Sequence, residues 1–132
     1  MRTRVLVTDD DPDMRWELMG VLEGEGFDVE QAGNGFEAFK LLSEFKFELL
    51  LLDLKMPVMT GYELLQRLDA SKIRIRTIVI TGSVMDSPLP GEKSISYGEK
   101  KRVLRLADLV MGKPFQLPEL IKNIKSLTSG IN

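Results

Sequence analysis

Short apolar runs alternate along this chain with longer stretches whose apolar residues recur at helical spacing. The first run, Arg4 to Thr8, reads RVLVT and stops at Asp9-Asp10-Asp11. Pro12 follows and suits the first turn of a helix, where its missing N–H would have no partner anyway. Met14, Leu18, Val21 and Leu22 then repeat at helical intervals, and Gly24 and Gly26 end the helix. Phe27 to Ala32 predicts a second strand. Asn34 can cap a second helix, which carries Phe36, Phe39, Leu42 and Phe45. Phe47 to Leu52 reads FELLLL and meets Asp53; an unbroken apolar run fits a parallel strand covered on both faces. Thr60-Gly61-Tyr62-Glu63 has capping-box spacing and opens a third helix through Leu64, Leu65 and Leu68. Ile75 to Ile80 predicts a fourth strand ending at Thr81-Gly82, and Ala107 to Met111 a fifth ending at Gly112-Lys113-Pro114. Leu117 to Leu127 predicts a last helix with Leu120, Ile121, Ile124 and Leu127 on one face. Ser83 to Glu99, broken by Pro88, Pro90, Gly91 and Gly98, has no regular pattern; a helix is expected to resume from Lys100 to Leu106.

Strand–helix alternation of this kind means an α/β fold: a parallel sheet with helices on both faces. The 132 residues suit one compact domain. A net charge of −2 argues against direct binding of nucleic acid. The chain has no Cys and no His, which removes thiolate chemistry, an imidazole base and a His-ligated zinc. Chemistry must rest on carboxylates, lysines, hydroxyls and backbone. No apolar run approaches the roughly 20 residues of a membrane span. The opening Met1-Arg2-Thr3-Arg4 leads straight into a strand, unlike a signal peptide, so the expected setting is the cytoplasm, without membrane insertion.

The polar residues that interrupt the apolar pattern stand at the C-terminal ends of the expected strands: Asp9 and Asp10, Asp53, Thr81 and Lys113. In an open parallel sheet those ends form one crevice, where ligands bind. Three converging carboxylates repel one another, and a hard divalent cation such as Mg²⁺ relieves that repulsion with oxygen ligands. An aspartate can act as a nucleophile and form an acyl phosphate. Lys113 would offer a compact positive charge to phosphoryl oxygens, Thr81 a hydrogen bond, and Gly82 room beside them. Neighbouring residues have plainer readings. Asp11 and Asp13 are acids at a helix N-terminus. Asp9, Asp11 and Asp13 imitate the start of a calcium loop, but Met14 and Gly20 occupy the positions of its required Gly and bidentate Glu. Arg15 and Lys100-Lys101-Arg102 read as solvated surface, and Met14, Met56, Met59 and Met111 as packing.

With Asp9-Asp10 after VLVT, Asp53 in LLLLDLKMPVMTG, Thr81-Gly82 after IVI, and Lys113-Pro114-Phe115, the chain resembles the receiver domains of two-component response regulators. The resemblance runs over nearly the whole length. It implies a single receiver domain over residues 1–132, with its core over about 3–128 and an irregular insertion over about 83–99. It implies a flavodoxin-like, doubly wound five-stranded sheet of order 2-1-3-4-5. It further implies Asp53 as phosphoacceptor, Thr81 and Lys113 as its helpers, and Mg²⁺ held by Asp10, Asp53 and the backbone carbonyl of Lys55, with Asp9 assisting. The phosphoryl donor would be a histidine kinase or phosphotransfer protein, the reader an effector protein or domain, and the only reactions catalysed the domain's own phosphorylation and dephosphorylation.

Two departures concern output. Val110 stands where the family usually has an aromatic switch residue, and 31 residues separate Thr81 from Lys113. Ser83 to Arg105, with Tyr97 as its one aromatic, is the expected substitute for that switch. Two alternative readings stay open: a receiver-like interaction module that takes no phosphate, and a phosphatase using Asp9 as nucleophile and Asp11 as acid.

Overall fold

The computed structural model describes residues 2–82 and 96–129. Five strands, β1 (Arg4–Thr8), β2 (Asp28–Ala32), β3 (Leu49–Asp53), β4 (Arg76–Thr81) and β5 (Leu109–Gly112), form one sheet of order β2-β1-β3-β4-β5. All neighbours are parallel. The connecting helices are α1 (Pro12–Gly24), α2 (Gly35–Glu44), α3 (Gly61–Ala70) and α4 (Tyr97–Leu104), and α5 (Leu117–Thr128) closes the domain. The expected flavodoxin-like topology is the observed one.

The period of two along each strand sorts the core into two layers. Leu6, Leu50, Leu52 and Val79 face the side covered by α2, α3 and α4, where Ala38, Leu64, Leu68 and Val103 meet them. Val5, Val7, Leu49, Leu51, Ile78 and Ile80 face α1 and α5, against Leu18, Leu22, Leu120 and Ile124. Strand β3 begins at Leu49 rather than the expected Phe47, and its four leucines are all buried, as a run covered on both faces requires; Asp53 at its end is buried too. Truncating Leu50 or Leu51 to Ala would cost about 2–5 kcal/mol.

Local chemistry sets the element ends. The Asp11 carboxylate accepts from the N–H of Asp13, and the Asn34 side chain from that of Glu37. At Thr60 the capping box is complete, with Glu63 answering the cap's own N–H. Two expectations about ends are corrected. The fifth strand begins at Leu109, not Ala107, because the Ala107 N–H closes a turn onto the Leu104 carbonyl. Asp108 beside it is committed to the strand edge: its N–H donates to the Thr77 carbonyl, and its carboxylate accepts from the Thr77 N–H at 2.8 Å. The helix expected from Lys100 starts at Tyr97, because the Ser96 hydroxyl caps it by accepting from the Glu99 N–H, so residues 97–99 belong to α4 and not to an irregular insertion. The remainder of that insertion, 83–95, and the Tyr97 side chain lie outside the described residues.

Candidate functional site

Residues on three strand ends meet at the C-terminal edge of the sheet. Asp9 and Asp10 follow β1, Asp53 ends β3, and Lys113 follows β5, its N–H donating to the Thr81 carbonyl at 2.8 Å. The register that pairs Val7 with Leu51 and Thr8 with Leu52 places Asp9 opposite Asp53. One oxygen from each of Asp9, Asp10 and Asp53 lies within 4.8 Å of the others. The Lys113 Nζ stands 3.6 Å from Asp53 Oδ2 and 3.8 Å from Asp9 Oδ2.

Asp9 and Asp53 are buried, while Asp10 faces solvent. Burial pushes the Asp9 carboxyl up to about 6 from an ordinary 3.8. The Asp11 N–H, donating to Asp9 Oδ1 at 2.9 Å, and the Lys113 charge pull it down, while Asp53 and Asp10 push it up. The Asp53 carboxyl is likewise raised, first by burial, against the lowering effects of Lys113 and of the Lys55 N–H, which donates to Oδ1 at 3.2 Å. These carboxylates are therefore costly to keep ionised by themselves, and a cation that joins them lowers that cost. The donor set, oxygen only and carrying three negative charges for one nearby lysine, fits a hard divalent ion.

The surrounding loop is tightly packed. Met56 and Met59 are buried, as expected. At Gly61 a Cβ would stand 2.7 Å from the Asp53 carbonyl oxygen and 2.8 Å from Leu54 Cα, so only glycine lets α3 start this close to the end of β3. Val58, between them, is exposed with φ 69, and the Met59 N–H donates to the Pro57 carbonyl across it at 2.7 Å.

Two sequence expectations fail here. Arg15 is not solvated surface. Its Nη1 donates to the Asp9 carbonyl at 2.7 Å and its Nε to Gln31 Oε1 at 2.9 Å. Lys100 is buried, with Nζ 5.4 Å from the centre of the Tyr62 ring, because α4 packs onto α3 there. Neither set of contacts follows a local periodic pattern: Arg15 reaches back over a loop to Asp9 and across to Gln31 on β2, and Lys100 reaches Tyr62 on another helix. The phosphatase alternative also loses its acid, since Asp11 is an exposed helix cap. Helix α1 beginning at Pro12 likewise excludes a calcium loop over these residues.

The sequence matches the response regulator receiver domain over residues 5–125. It is 33% identical to the response regulator receiver protein CpdR of Brucella abortus, over 94% of this chain and 95% of that protein. It is 30% identical to sporulation initiation phosphotransferase F of Bacillus subtilis, over 95% and 93% respectively. Against the transcriptional regulatory protein CpxR homolog of Haemophilus influenzae the identity is 35%, but the chain spans only 50% of that protein. Response regulator TrrA of Thermotoga maritima, solved in complex with Mg(2+)-BeF, superposes with a TM-score of 0.76 at 29% identity, over 95% of this chain and 98% of that one. The same protein in complex with histidine kinase ThkA gives 0.76 at 30% identity, over 96% and 99%. The chain belongs to the response-regulator receiver family. No helix among the described residues is long and apolar enough to cross a membrane.

Proposed function

We propose that Asp53 is the phosphoacceptor of a two-component switch working in the cytoplasm, with Asp10, Asp53 and the Lys55 carbonyl as Mg²⁺ ligands and Asp9 assisting. The observation that carries this is the convergence of the three acids with the Lys113 Nζ, 3.6 Å from Asp53 and 3.8 Å from Asp9. A carboxylate oxygen of Asp53 attacks the phosphorus of a phosphohistidine or small acyl phosphate. The bond to the donor's nitrogen or oxygen breaks, and the donor leaves with that electron pair. The chain's own contribution is position and charge: Asp53 is fixed at the end of a wholly buried strand, and Lys113 balances charge on the phosphoryl oxygens. Thr81, buried at the end of the adjacent strand, would donate a hydrogen bond to the product. Bound Mg²⁺ would neutralise charge between the carboxylates and the incoming phosphoryl group. The domain catalyses only its own phosphorylation and dephosphorylation.

The donor, on this reading, is a partner's phosphohistidine, which must reach the mouth of the site. A cleft of about 470 Å³ lined by Met14, Leu18, Lys113, Pro114, Phe115 and Leu117 opens there. Trp16 of α1, close by in sequence, is 68% exposed. That apolar border suits a docking helix of a histidine kinase or phosphotransfer protein. The chain spans about half the length of several curated relatives it matches, and the effector it controls is an unidentified protein or domain. Transfer tests the reading directly. A labelled phosphohistidine donor mixed with this protein and Mg²⁺ should pass its label to the wild type and not to Asp53→Asn. Equal labelling of both would place the acceptor elsewhere.

A further inference from the structure

We propose that Arg15 is a positioning residue for the metal-binding acids: its guanidinium fixes the Asp9–Asp10 peptide so that the Asp10 carboxylate points at the cation site. The inference rests on the reading of Asp9, Asp10 and Asp53 as the Mg²⁺ site and adds a residue to it.

Asp10 needs such help. Asp53 is held at the end of a buried strand and by the Lys55 N–H. Asp9 is buried and held by the Asp11 N–H. Asp10 is exposed, and among the described residues its carboxylate has no hydrogen-bond partner. No side-chain hydrogen bond fixes its rotamer, so its placement leans on the backbone that sets its Cα–Cβ bond. The peptide that carries it begins at the Asp9 carbonyl, and that oxygen accepts the 2.7 Å bond from Arg15 Nη1. A charge-assisted bond of this length is among the stronger ones available to a carbonyl.

The guanidinium is itself held. While Nη1 holds Asp9, Nε donates to Gln31 Oε1 on β2 at 2.9 Å, so the rigid fork is used from two directions. The Gln31 amide is turned by a further contact from Nε2 to Met19 Sδ at 3.5 Å. Gly33 leaves the space: a Cβ there would stand 3.2 Å from Arg15 Nη1. Arginine, glutamine and glycine thus tie α1, the end of β2 and the β1–α1 junction into one strut behind the acids.

Positioning and simple electrostatics predict opposite signs. Removing a cation beside three carboxylates should tighten Mg²⁺ binding if charge alone matters. If the strut matters, binding should weaken. Outer contacts that orient metal ligands are typically worth at least tenfold in affinity, so Arg15→Gln is expected to bind Mg²⁺ about tenfold more weakly than wild type. Arg15→Lys keeps the charge and one donor but loses the fork, and should fall between the two. Gln31→Leu should weaken binding in the same direction by less, and combining it with Arg15→Gln should add little further.

The experiment is calorimetric titration of MgCl₂ into the full chain and its variants well below their melting temperatures, with thermal unfolding recorded alongside. The Mg²⁺ concentration for half-maximal phosphorylation by a small acyl phosphate should rise in parallel, while the rate at saturating Mg²⁺ changes little. A melting temperature lowered with unchanged or tighter Mg²⁺ binding would make Arg15 a structural residue only and overturn the proposal. If Arg15→Gln does not fold, Arg15→Lys and Gln31→Leu decide the matter, and normal Mg²⁺ affinity in both would overturn it. No Mg²⁺ binding by the folded wild type would instead overturn the underlying assignment of the metal site, and this inference with it.

Discussion

Replacing Asp9 with Asn isolates the cost of holding a charge in the acid cluster when no metal is supplied. The substitution keeps the side chain's size and the Oδ1 acceptor that the Asp11 N–H uses at 2.9 Å. What it removes is a carboxylate raised to about 6 from 3.8, mainly by burial. Because the folded state holds this proton more tightly than the unfolded chain, stability from this group is fully present below pH about 4. It is lost as pH rises through about 6. A shift of about 2 units corresponds to about 3 kcal/mol at roughly 1.36 kcal/mol per unit, as a ceiling. Solvent at the mouth of the site reduces this to about 2 kcal/mol. For a domain of this size that is about 6 °C in melting temperature. Thermal unfolding followed by circular dichroism in EDTA should therefore show Asp9→Asn melting above wild type at pH 7.5, with the gap closing towards pH 4. Mg²⁺ should raise the wild-type transition, by mass action, more than that of the variant. An Asn variant that melts at or below wild type at pH 7.5, or a gap that does not change with pH, would refute the reasoning.

Other perturbations follow from the same geometry. Lys113→Met removes the charge that holds both buried carboxyls down, so the metal-free protein should lose about 1–2 kcal/mol near neutral pH in chemical denaturation. Gly61→Ala drives a Cβ into the backbone at Asp53 and Leu54; it should cost about 1–3 kcal/mol and weaken Mg²⁺ binding measured by calorimetry. Helix α4 is seated on α3 by Lys100 over the Tyr62 ring and by Gln66 Nε2 donating to Glu99 Oε1 at 3.0 Å. If phosphorylation is read through this element, amide exchange over residues 83–105 should change when a beryllofluoride-type mimic occupies Asp53; unchanged protection would place the output elsewhere.

What the sequence could and could not say follows from how far each interaction reaches. Strand β3 was legible because four leucines in a row that end at an aspartate fit a strand covered on both faces. The α3 start was legible because its capping box spans four residues, and the acids were legible because a polar residue at the end of an apolar strand breaks an otherwise strict pattern. Arg15 was not, because its partners are the carbonyl of Asp9 and a side chain on β2, and neither leaves a periodic trace. Lys100 misled because a basic run normally faces water; only the packing of α4 on α3 sets its Nζ over the Tyr62 ring. The start of β5 shifted because the Ala107 N–H turns back onto the Leu104 carbonyl, while Asp108 beside it gives its carboxylate to the Thr77 N–H, 31 residues away in sequence. Val110 behaves as its type suggests: 40% exposed on β5, it offers no aromatic ring to report on Thr81.

The central claim, that Asp53 takes the phosphoryl group with the help of the acids and Lys113, is tested most directly by intact-protein mass spectrometry after incubation with a small acyl phosphate and Mg²⁺. The wild type should gain one phosphoryl group, with none added without Mg²⁺ and none on a folded Asp53→Asn. An unmodified wild type under conditions where its fold is verified, or an Asp53→Asn chain that gains the same mass, would contradict it.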